Sequence, residues 1–69
     1  MEFYQSRINH CCIYVIAVDF WFENDTIYCV TFDNGDYREM RTAEFEKFIG
    51  DYYKVFLTRM MYKEIFCKK

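Results

Sequence analysis

The stretch that decides the fold is "CCIYVIAVDFWFENDTIYCVTFDNGDYREM", residues 11–40. It alternates runs rich in β-branched and aromatic residues with two polar turns. "DNGD" at 33–36 holds Asn34-Gly35, the strongest short-range hairpin signal, because a type I′ turn needs positive φ at both central residues. "ENDT" at 23–26 is a weaker turn centred on Asn24-Asp25. Together they predict a three-stranded antiparallel β-meander over about 11–23, 26–33 and 36–41.

Two-residue loops at both turns would set the register. Phe22 then opposes Ile27, Phe20 opposes Cys29, Phe32 opposes Tyr37 and Cys29 opposes Met40. Strand alternation sorts the side chains into two faces. One holds Tyr14, Ile16, Val18, Phe20, Phe22, Ile27, Cys29 and Met40, and is expected to be the core. The other holds Ile13, Val15, Ala17, Trp21, Tyr28, Val30, Phe32 and Tyr37, with Asp19, Glu39 and Arg41 among them. This second face is too apolar for water, so it is expected to meet a partner.

From Thr42 onward the pattern is helical. Phe45, Phe48, Ile49, Tyr52 and Phe56 keep a helical period, with Thr42 as the expected N-cap. The segment is either one helix through Gly50-Asp51 or two, with Gly50 ending the first and Asp51 capping the second. Residues 1–9 fit either an edge strand or a helical turn. The expected fold is therefore α+β, one domain over 1–69, with the meander packed against a C-terminal helical segment.

Sixty-nine residues leave a small core, yet 54% of them are hydrophobic and 23% aromatic. One thin core cannot hide sixteen aromatic rings. A net charge of −2 points neither to the phosphate backbone nor to a nucleic-acid mimic. The longest apolar run, Cys11–Val18, is too short to span a bilayer, and "MEFYQSR" lacks the shape of a signal peptide. The expected location is the cytoplasm, with all four cysteines as free thiols.

Candidate chemistry is sparse. His10-Cys11-Cys12 has the residue types of a metal or thiol site but not the spacing. In a strand, Cys11 and Cys12 point to opposite faces, and no C-x-x-C is present. Asp19 and Glu39 share a face with neither a pocket nor a phosphate loop beside them, and the acidic turns lack the spacing of a calcium loop. No catalytic residue, metal or cofactor is expected. The "FDNGDY" turn is similar to that of small KTSC-type domains, although the Lys-Thr-Ser-Cys motif is missing and Tyr37 follows Gly35 by two residues. That resemblance implies no function for this chain.

The expected role is that of a non-enzymatic protein-binding module, with Trp21, Tyr28, Phe32 and Tyr37 as anchors and Asp19 and Glu39 setting specificity. The partner is a protein of unassigned identity, and a homodimer is one form such binding can take. By general type, such a compact chain looks like a phage- or mobile-element accessory inhibitor, for example of a host defence complex such as CRISPR-Cas. The alternative is a single-stranded nucleic-acid-binding domain stacking bases on the same aromatic face.

Overall fold

The computed structural model describes residues 1–67. Five strands form one sheet: β1 (Glu2–Ser6), β2 (Cys12–Phe20), β3 (Asp25–Phe32), β4 (Tyr37–Arg41) and β5 (Tyr52–Val55). Two short helices complete it, α1 (Thr42–Phe48) and α2 (Arg59–Phe66). The strand order is β4-β3-β2-β1-β5, and every neighbouring pair is antiparallel. The α+β class agrees with expectation, but the sheet is larger than a three-stranded meander.

The two extra strands come from segments with weak or misleading patterns. Residues 2–6 form an interior strand, with Phe3 opposite Tyr14 on one side and opposite Val55 on the other. Tyr52–Val55 carries two aromatics and a β-branched residue, and those side chains also satisfy a helical spacing. α1 ends at Phe48, a 3₁₀ turn spans Ile49–Asp51, and the chain then extends into β5. The expected single helical segment is thus two helices with a strand between them. Asp51 caps neither; α2 starts from Thr58, whose Oγ1 accepts the Met61 N–H at 3.2 Å. Nor does Thr42 act as a cap. It is the first residue of α1, and its hydroxyl donates to Asp25 Oδ1 at 2.6 Å.

Turn geometry decides which face is which. At the first turn, Trp21–Glu23 forms a 3₁₀ turn closed by Asn24 in the left-handed region (φ 52°). Four residues therefore sit between the pair Phe20–Asp25, and Val18, rather than Phe22, opposes Ile27. This slip moves partners by an even number of residues, so β2 and β3 keep the expected sorting of their faces.

The second turn does not keep it. Only Gly35 takes a positive φ (+95°), so Asn34-Gly35 is not a type I′ pair. Instead the Gly35 N–H donates to Phe32 O at 3.0 Å and the Phe32 N–H donates to Asp36 O at 2.8 Å, closing a three-residue loop. The extra residue shifts β4 by one position: Met40 opposes Tyr28 and Glu39 opposes Cys29. A one-residue slip turns every side chain of a strand over. Met40 enters the core, while Tyr37, Glu39 and Arg41 leave for the other face.

The core lies on the face expected to meet a partner. Ile13 and Val30 are fully buried, with Val15, Met40 and Phe45 beside them. α1 supplies the cover: Phe45 stacks on Tyr28 with ring centroids 4.0 Å apart, and Phe48 meets Phe32 at 6.0 Å. Each such side chain contributes roughly 1.5–3 kcal/mol by leaving water. The opposite face is roofed by α2 at one end only. There Tyr62 and Phe66 pack on Phe3 and Tyr14, with centroid distances from 5.1 to 6.2 Å across the cluster.

Candidate interaction surface

Past Tyr14 the α2 roof ends and the sheet face is bare. Ile16 lies opposite Cys29, Val18 opposite Ile27 and Tyr37 opposite Thr31. Ile16, Val18 and Tyr37 are 40%, 51% and 54% exposed. Phe20 continues the patch to the hairpin tip, its ring 6.4 Å from that of Phe22. At the tip Trp21 and Phe22 stack on each other at 4.2 Å and stand 77% and 74% exposed. The 3₁₀ turn lifts both off the sheet, which is why strand alternation does not place them.

Polar groups hold the margins. The Arg41 guanidinium lies 5.5 Å from the centre of the Phe20 ring and pairs with Glu23 and with Asp25 Oδ2 (3.0 Å). Glu23 and Asp25 together raise the pKa of Arg41. The Asp25 carboxyl is held far below the usual carboxylate range, first by the Thr42 hydroxyl, then by Arg41 and the Thr26 N–H. This network ties the hairpin tip to β4 and the start of α1. Along β4 the Tyr37 hydroxyl donates to Glu39 Oε2 at 2.7 Å. Cys29 and Glu39 raise the Tyr37 pKa, so the phenol stays neutral.

The six expected binding residues fall in three places. Tyr37 and Glu39 lie on the bare face and Trp21 at its tip. Tyr28 and Phe32 face the opposite way, packed against the core under α1. Asp19 is exposed on that α1 side, at the hairpin end across from Thr26. The four aromatics therefore do not make one stacking platform. Ile16, Val18 and Phe22, expected in the core, are exposed instead. Their alternation was readable; which face the helix would cover was not.

The cysteines do not converge. Cys12 begins β2, buried, and burial pushes its thiol pKa up, with Asp33 adding to the effect. His10 sits in the β1–β2 turn with φ 63°, its carbonyl accepting from Gln5 Nε2 at 2.9 Å. Among the described residues no three ligating side chains gather that could hold a metal ion. No helix among them is long and apolar enough to cross a membrane.

In comparison with known proteins, the chain matches no family model, no curated protein and no solved structure.

Proposed function

We propose that this chain is a small non-enzymatic protein-binding module that acts by occupying a surface of its partner. The supporting observation is an exposed apolar face, Ile16, Val18 and Tyr37, with Phe20, Phe22 and Trp21 stacked in turn at its tip, on a sheet braced from behind by α1. Trp21, Phe22 and Tyr37 alone leave roughly 300–500 Å² of aromatic surface in water at their observed exposures. That matches the largest patch of a typical monomer, which is often functional. The composition is that of binding hot spots, where buried Trp and Tyr dominate the energy. Glu39 and Arg41 at the margin supply charges of both signs for orientation.

The narrower form of the proposal is an accessory inhibitor of phage or mobile-element type, directed at a host defence complex such as CRISPR-Cas. Small size and an aromatic-rich sequence free of catalytic motifs support it by analogy. A homodimer through the patch is the other form.

The test is the double variant Ile16→Asp, Val18→Asp. Light scattering at micromolar concentration reads self-association, and co-purification from the native host reads a foreign partner. The variant should keep the far-UV circular dichroism of the parent and lose whichever association the parent shows. An association that survives the double substitution at full strength would place the binding surface elsewhere.

A further inference from the structure

The α1 side of the hairpin tip carries an open cavity of about 490 Å³, lined by Asp19, Trp21, Asn24, Asp25, Thr26 and Thr42. Asp19 puts it on the other side of β2 from Val18, and it meets the bare-face patch only at the tip, through Trp21. We propose that it receives the guanidinium of an arginine side chain from a basic segment of the partner. The identity of the carrier rests on the protein-binding reading, while the site itself stands on its own residues.

Three observations favour this ligand. The first is the indole: Trp is the ring that best attracts a cation, and planar guanidinium stacks on it. Trp21 lines the cavity and stacks on Phe22 with centroids 4.2 Å apart. The second is the uneven state of the two carboxylates. Asp25 is spoken for by the Arg41 guanidinium, the Thr42 hydroxyl and the Thr26 N–H. Asp19 has no hydrogen-bond or ion-pair partner among the described residues, so it is the open acceptor for a forked donor. The third concerns the excluded ligands. The unpaired Asp19 carboxylate repels an anion, and the described residues offer no set of three ligands for a metal ion.

The chain's one tryptophan lines the cavity and also ends the bare-face patch, so its emission reports binding at either, and Asp19→Asn assigns the change to the cavity. The full chain is titrated with the blocked peptide Gly-Arg-Gly and with its neutral counterpart Gly-citrulline-Gly. The expected result is a saturable emission change for the arginine peptide that weakens as salt rises. Binding should fall about tenfold or more with citrulline, and likewise with Asp19→Asn, each losing a charge-assisted bond. Equal response to both peptides, no loss in a folded Asp19→Asn, no saturation, or a change produced by calcium chloride instead would overturn the proposal. The citrulline comparison uses the unaltered chain and so decides the matter even if Asp19→Asn does not fold. Ile16→Asp, Val18→Asp should leave this titration unchanged, which separates a failure here from a failure of the open-face reading.

Discussion

Val15 and Ile16 are adjacent in β2 and chemically alike, yet Val15 is 5% exposed and Ile16 40%. Nothing in either side chain accounts for this. The difference lies in what each face meets: α1 lies across the Val15 face, while α2 stops over Tyr14 and leaves Ile16 in water. In so small a sheet, apolar residues on both faces outnumber the helices that could cover them. One face becomes core, and half of the other becomes a surface with binding composition.

The largest effect that would sharpen this contrast is at Ile13, fully buried under α1. Ile13→Ala should cost about 2–5 kcal/mol in urea unfolding, a large share of the stability of a domain this small. Gly35→Ala comes next. Its φ of +95° suits glycine, and the alanine should lose roughly 1–2 kcal/mol although nothing crowds the added methyl. The readout beyond stability is register: a shift of β4 back by one residue would bring Met40 out of the core. Removing the α2 cap with Thr58→Ala should cost about 1 kcal/mol and loosen the Tyr62–Phe66 roof, visible as faster amide exchange in residues 59–66.

On the bare face, Val18→Thr should change stability by no more than about 0.5 kcal/mol. A loss as large as that of Ile13→Ala would show that the two faces are equally buried and end the comparison. The last effect appears only at alkaline pH, on the α1 side. Burial, aided by the Glu2 carboxylate, pushes the Tyr4 pKa up to about 12 from the ordinary 10. A raised pKa favours the protonated form in the folded chain. Its contribution is therefore complete below about pH 10 and disappears as pH rises through about 12. Tyr4→Phe should flatten the alkaline limb of a stability–pH curve over that window.

Much of the architecture was readable in residues 11–40. Both turns, the order of β2, β3 and β4, and the two-sided apolar character of β2 follow from alternation and turn chemistry. Sidedness did not. Whether Asn34-Gly35 closes a two- or three-residue loop changes the register by one, and with it the face of Met40, Tyr37 and Glu39. Dipeptide identity does not settle that choice, because Gly35 supplies its positive φ to either loop. Tyr52–Val55 was hidden for another reason: four residues fit a helix period and a strand period alike, and only β1 as a neighbour selects the strand. Of the candidate surface, Trp21, Tyr37 and Glu39 were found by residue type, and Ile16, Val18 and Phe22 were missed with the face.

The position of β5 has a consequence for how the chain assembles. β1 through β4 form by pairing each strand with the next, all local closures. β5 instead returns to β1, joining Val55 to Phe3 across roughly fifty residues of chain, and such distant pairings form late. During synthesis β1 therefore keeps an unpaired backbone edge until β5 has emerged. That edge is a transient template for intermolecular pairing, and the speed with which α1 swings β5 across the sheet sets how long it stays open.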